Sequence, residues 1–226
     1  VITTSQPSPG DVTDMWDHLL KIYDEIVFIP MSSGLSNTCQ TALLLADDDP
    51  YKGRVFVVDN HRISVTQALA VLDAKALADQ GKSACEIKDI LEKEAMDATI
   101  YIAVDTLEYL KKGGRITAAA AALGTILKLK PVLTIQGDKL DSYAKARGMK
   151  SAFRIMTEAV KSDISSRLSH LRQEGLLKAG IANTMMDPDK LEEFKDEMRK
   201  NFPDMELVYF PLTMSIGTHA GPGGLG

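Results

Sequence analysis

The sequence predicts an α/β protein of two domains: an open, mostly parallel sheet over residues 1–97, and a second α/β domain with a mixed sheet over residues 98–226. Three observations carry this reading. Ile26-Val27-Phe28-Ile29 and Val55-Phe56-Val57-Val58 are short, continuously apolar runs. Such runs suit parallel strands covered on both faces. Helical stretches alternate with them, which is the order of an open α/β sheet. In the second half, Gly137-Asp138 separates two strand-like runs, the mark of a hairpin and of antiparallel pairing.

Each element has a local reason. Ser8 is placed to cap a helix, with Pro9 at its first position and Asp11 completing a capping box. Met15, Leu19 and Ile22 supply an apolar stripe at helical spacing. A strand at Ile26–Ile29 leads through Ser32-Ser33-Gly34-Leu35-Ser36 into a helix containing Leu43, Leu44 and Leu45. The strand Val55–Val58 closes at Asp59, and helices follow near Val65–Ala78 and Ala84–Met96, the second opened by Ser83 with Glu86. So few strands suggest that earlier βα units of a complete sheet are missing from this chain. Beyond Asp97, Thr99–Val104 reads as a strand, and Asp105–Glu108 opens a short helix that stops at Gly113-Gly114. An alanine-rich helix, Ala118–Leu127, precedes the strand Pro131–Ile135 and its hairpin partner Leu140–Ala146. A long amphipathic helix near Ser151–Gln173 follows, then strands at Ala179–Asn183 and Glu206–Phe210 around a helix at Asp189–Lys200.

Composition excludes several classes. The 226 residues are 45% hydrophobic and 25% charged, ordinary values for a globular chain. No apolar run reaches the roughly 18 residues of a spanning helix. The net charge is -5, whereas a general nucleic-acid binder carries a basic excess. Two cysteines outside any C-x-x-C pattern argue against a disulfide scaffold or zinc ribbon and point to a cytoplasmic setting. His18, His61, His170 and His219 show no metal-ligand spacing. The nucleophile elbow, the P-loop and the dinucleotide fingerprint are all absent, and a Ser33–His219 dyad has no identifiable orienting acid.

Three small-residue segments remain: Thr3–Ser8, Ser32–Thr38, and Gly217-Thr218-His219-Ala220-Gly221-Pro222-Gly223. The first two precede helices, whose free N–H groups and dipole suit an anion. The competing reading makes their serines simple caps and turn formers. His219 lies among glycines, where backbone can approach a ligand closely. Lys111-Lys112-Gly113-Gly114-Arg115 reads as a basic helix end with a glycine cap rather than a phosphate loop. Lys145-Ala146-Arg147-Gly148-Met149-Lys150 is a basic cluster on an acidic chain, suited to an acidic partner.

Thr4-Ser5-Gln6-Pro7-Ser8-Pro9-Gly10, Ser32-Ser33-Gly34-Leu35-Ser36, Leu107–Ile116 and Ile216–Gly223, in that order, together resemble the DegV family, as do Lys130-Pro131 and Lys145–Gly148. The resemblance spans essentially the whole chain. It implies a two-domain protein that binds a long-chain fatty acid between its domains and presents the carboxylate to a separate fatty acid kinase subunit. Carried over, the carboxylate ligands are Thr4, Ser32 or Ser33, and His219, with Ser5, Gly34, Ser36, Gly217 and Thr218 in the supporting loops. Arg147 falls in the segment that meets the kinase. The sequence departs from the family pattern at Asn37, where glycine is usual, at Asp59-Asn60, and at Met149, where a basic residue is usual. The family's first βα segment has no counterpart here.

The implied role is a carrier, not an enzyme, with no cofactor or metal, no nucleic-acid partner, and transient membrane contact for lipid exchange. At about 0.8 kcal/mol per buried methylene, a long acyl chain offers on the order of 10 kcal/mol before binding losses, so few charged groups are needed. The alternative is a phosphometabolite enzyme that uses the helix-terminal loops for phosphate and His219 as acid/base.

Overall fold

A computed structural model describes residues 2–122, 129–136 and 139–226 of the chain. Helix α1 (Pro9–Leu19) starts at the expected box: the Asp11 amide donates to Ser8 Oγ, and the Ser8 amide donates to the Asp11 carboxylate. Of the expected apolar stripe, only Leu19 packs on the core. Met15 and Ile22 are exposed, and the buried face carries Val12 and Trp16. Both sets recur at helical spacing, and Trp16 wins because its ring has aromatic partners. It meets Phe28 and Tyr51 edge-on, at centroid distances of 5.6 and 5.2 Å.

Residues Ser5–Met96 form one compact unit. Strands β1 (Ile26–Phe28) and β2 (Val55–Val57) pair in parallel, with Ile26 opposite Val55 and Phe28 opposite Val57. Helices α2 (Thr38–Ala46), α3 (Ser64–Asp79) and α4 (Ala84–Lys93) complete the unit. Strand alternation sends side chains to both faces. Ile26, Val55 and Val57 pack with Val12, Trp16, Cys39 and Ala42 from α1 and α2. Val58, Val27 and Ile29 pack with Ala70, Ala74, Ile87 and Leu91 from α3 and α4. The short apolar runs are therefore strands covered twice. Ser83 and Glu86 form the box that opens α4.

The second unit comprises Val1–Thr4 and Asp97–Gly226. Its strand β3 (Ile100–Ala103) is followed by α5 (Glu108–Gly113), which ends on Gly114 in the left-handed region at φ 68°, and by α6 (Ala118–Ala121). The expected continuation of α6 to Leu127 and the turn at Gly137-Asp138 lie outside the described residues. Strands β4 (Leu129–Ile135) and β5 (Asp141–Arg147) extend β3 into an antiparallel sheet of order β3-β4-β5. Ser142 pairs with Leu133 and Ala144 with Val132, so Tyr143 is the extra residue of a bulge.

The long helix expected over Ser151–Gln173 is two helices, α7 (Met149–Ser165) and α8 (Ser169–Gln173). Ser166 breaks it at φ −114°, ψ −97°. There Ser165 Oγ donates to the Lys161 carbonyl at 2.9 Å and Ser166 Oγ to the Ser162 carbonyl at 2.7 Å, so the serines offer the backbone a competing partner. Strands β6 (Lys178–Ile181) and β7 (Glu206–Tyr209) pair in parallel and flank α9 (Pro188–Asn201). Leu225 joins the two sheets by bridging Ala103 on one side and Asn183 on the other. The core beneath gathers Tyr101, Val132, Phe153, Ile181, Phe194 and Leu225, among others. Mixed pairing in this half agrees with the sequence reading.

Candidate functional site

Gly217, Thr218 and His219 belong to a helix, α10 (Met214–Ala220), not to the expected glycine loop. Helix propensity disfavours the Gly217 position, which is why composition reads as loop. The Thr218 hydroxyl donates to the Met214 carbonyl at 2.8 Å, so it serves the helix. His219 stands in the last turn, and its Nε2 lies 2.7 Å from Thr4 Oγ1. The resemblance-based pair Thr4 and His219 is thus brought together across 215 residues of sequence.

The ring is held neutral. Burial lowers the His219 pKa from its ordinary value, and the nearby Arg115 guanidinium lowers it further. Arg115 is itself tied to the Gly113 carbonyl. The other ring nitrogen, Nδ1, is buried without a partner among the described residues. A bare lone pair there costs less than an orphaned N–H, which favours the proton on Nε2. Nε2–H then donates to Thr4 Oγ1, and the threonine O–H is left to donate elsewhere. A hydroxyl so oriented suits an anionic oxygen.

Two residues that sequence reasoning missed shape this corner. Gly113, in the last turn of α5, lies against the ring: a Cβ there would fall well inside contact distance of Nδ1 and 2.9 Å from Cε1. Thr184 is buried, donates to the Gly221 carbonyl at 2.5 Å and accepts from the Gly224 amide at 2.8 Å. It fixes the chain just beyond His219. The double glycine was a faint signal for the first, since one glycine suffices for the cap. Nothing marked Thr184.

The serine loop belongs to the other unit. Ser32 is fully buried, and its Oγ accepts from the Gly34 amide at 3.2 Å. The Ser32 amide donates to the Arg62 carbonyl at 2.9 Å, and its carbonyl accepts from Leu35 and Ser36 at 3.0 and 3.2 Å. The Ser33 amide donates to Asp59 Oδ1 at 3.3 Å. Every amide from Ser32 to Ser36 is therefore engaged. Ser36 Oγ shares a 2.9 Å bond with Thr38 Oγ1 and accepts the Thr38 amide, capping α2. The Ser33 hydroxyl, half-buried, has no hydrogen bond among the described residues. Within α2, burial and the neighbouring Asp59 push the Cys39 thiol up to about 11.

Ser5 is exposed, and so is Arg147, the last residue of β5. Met149 starts α7 and packs on the core, which accounts for an apolar residue at that position. Lys150 faces Glu193 at 3.4 Å. His61 lies 3.7 Å from Asp59 and His170 3.5 Å from Asp97. Among the described residues no three His, Cys, Asp or Glu side chains gather as a metal site, and no helix is long and apolar enough to cross a membrane.

A family model described as an uncharacterised protein, DegV family, matches residues 1–226. A DegV domain-containing protein of Deinococcus radiodurans is 32% identical over 224 residues, covering 99% of this chain and 76% of that one. Among solved structures, a fatty-acid-binding DegV family protein from Thermus thermophilus is similar with a TM-score of 0.78 and 33% identity, over 99% of this chain and 76% of its own. DegV from Bacillus subtilis, a fatty acid binding protein, is similar with a TM-score of 0.79 and 29% identity, over the same shares of each chain, 99% and 76%.

Proposed function

The chain belongs to the DegV family, and from that premise we propose that it binds a long-chain fatty acid and presents the acyl carboxylate to a separate fatty acid kinase subunit. The relatives from T. thermophilus and B. subtilis are fatty-acid-binding proteins, which supports the ligand class. The observation that carries the reading is the Thr4–His219 hydrogen bond beside a half-buried ring whose pKa is lowered. Thr4 offers its O–H to the carboxylate, and His219 orients that hydroxyl from behind. Ser33 adds a second hydroxyl, while Ser32, through the Gly34 amide, shapes the loop that carries it. The alternative phosphate-binding enzyme draws less support from this loop, because the amides of Ser32–Ser36 already donate to Arg62, Asp59 and Ser32.

The acyl tail supplies the affinity. The head group needs only to fix orientation, which a few hydroxyls can do. Arg147 is the proposed contact to the kinase, because a guanidinium on an exposed strand end can fork onto a carboxylate or phosphate of the partner. Membrane contact during lipid exchange belongs to the same proposal.

Mass spectrometry after gentle extraction tests the ligand class directly. A co-purifying fatty acid of about C14–C20 is expected, the range that the family resemblance implies. Reproducible recovery of a sugar phosphate or nucleotide instead would sink the reading. In the same preparation, Arg147→Ala should retain the lipid and lose acyl-phosphate formation with a cognate kinase; loss of the lipid as well would place Arg147 in the fold or the lipid site.

A further inference from the structure

α5 ends in two adjacent glycines, and only the second has a backbone reason to be glycine. Gly114 sits at φ 68°, where side chains with a Cβ are strained. Gly113 is helical and lies outside the left-handed region, so alanine would fit its backbone and would be the better helix former. What forbids alanine is the ring of His219. A Cβ on Gly113 would overlap Nδ1, stand 2.9 Å from Cε1 and lie 3.3 Å from Cγ. The overlap involves the ring's near edge, so relief requires the whole imidazole to swing. The far edge carries Nε2, which is bonded to Thr4.

We infer that Gly113 is a positioning residue whose missing side chain is the slot that seats His219 and thereby sets the Thr4–His219 pair. The inference deepens the fatty-acid reading and rests on it for its functional consequence. Its structural content stands alone. The slot also explains the orphaned Nδ1: packed against a Cα with no side chain, that nitrogen is walled off from solvent. Arg115, donating to the Gly113 carbonyl, ties the same residue to the charge that faces the ring. Thr184 holds the chain after His219 from below, so the ring cannot retreat by a backbone shift without breaking the bonds to Gly221 and Gly224.

The test is a double-mutant cycle of Gly113→Ala with His219→Ala, read by thermal unfolding, by the proton resonance of the His219 ring, and by palmitate affinity. With four histidines in the chain, His219→Ala assigns the resonance by its disappearance. Gly113→Ala alone should lower Tm, move the ring resonance and raise its titration midpoint toward the ordinary histidine value. In the His219→Ala background the same change should leave Tm equal or higher, because propensity then acts without the clash. Palmitate binding by Gly113→Ala should weaken at least tenfold, about 1.4 kcal/mol. Should the single variant fail to fold, a folded double variant carries the same conclusion. An unmoved resonance, or an equal Tm loss in both backgrounds, would overturn the positioning role. A wild-type protein that binds no palmitate would instead remove the fatty-acid reading, while the resonance and the cycle still decide what seats the ring.

Discussion

A histidine meant to orient a hydroxyl works best when its protonation does not fluctuate near neutral pH, and the surroundings of His219 arrange this. Burial first, and the Arg115 charge second, depress its pKa below 6.5, the value of an unperturbed ring. The sign for stability follows from proton linkage. Between the depressed folded value and the unfolded value, the unfolded chain binds the extra proton. The contribution of His219 is therefore fully present above about pH 6.5 and is lost as pH falls through the folded pKa. Denaturant unfolding between pH 7.5 and 5 should show wild type losing more stability than His219→Gln, and parallel slopes would contradict a ring with a lowered pKa. Thr4 and His219 each lay in a segment that composition marked, but their pairing was legible only through family resemblance, since no spacing rule connects partners 215 residues apart. Gly113 left only the faint signal of a doubled glycine and Thr184 left none, because close approach and a bond to a distant carbonyl leave little local pattern.

Elements were legible where their causes are local. The boxes Ser8–Asp11 and Ser83–Glu86 reach three residues along the chain, and both formed as read. At Glu86 the Ser83 amide, then Lys82 and the Ser83 hydroxyl, hold the carboxylate down to about 2. The α1 face was misread because periodicity admits two stripes, and the choice depended on Phe28 and Tyr51, which periodicity cannot see. Trp16 is 1% exposed and Met15 58%. Trp16→Ala should accordingly cost about 3–5 kcal/mol, whereas Met15→Ala should stay within about 0.5 kcal/mol. Comparable losses from the two in denaturant titrations would restore the other stripe. The break at Ser166 was hidden for a related reason: hydroxyls that bend back to their own turn follow the helical pattern up to the residue that ends it.

For the whole molecule, alternating strands and helices gave the α/β class, and the hairpin signal gave the antiparallel pairing of the second half. The way the sheets join could not be read, because Leu225 bridges Ala103 and Asn183, far from it in sequence. Thr4 belongs to the unit of His219, while Ser5 begins the other unit. The functional account reduces to one claim, that hydroxyls read a carboxylate while an acyl tail supplies affinity. Palmitate and hexadecanol share the tail and differ in the anion. Calorimetric binding of both ligands to wild type, Thr4→Ala and Ser33→Ala tests the claim most directly. Each substitution should weaken palmitate by roughly 1.5–3 kcal/mol and hexadecanol by clearly less, the difference expected of a charge-assisted bond. Equal losses for the acid and the alcohol would contradict it.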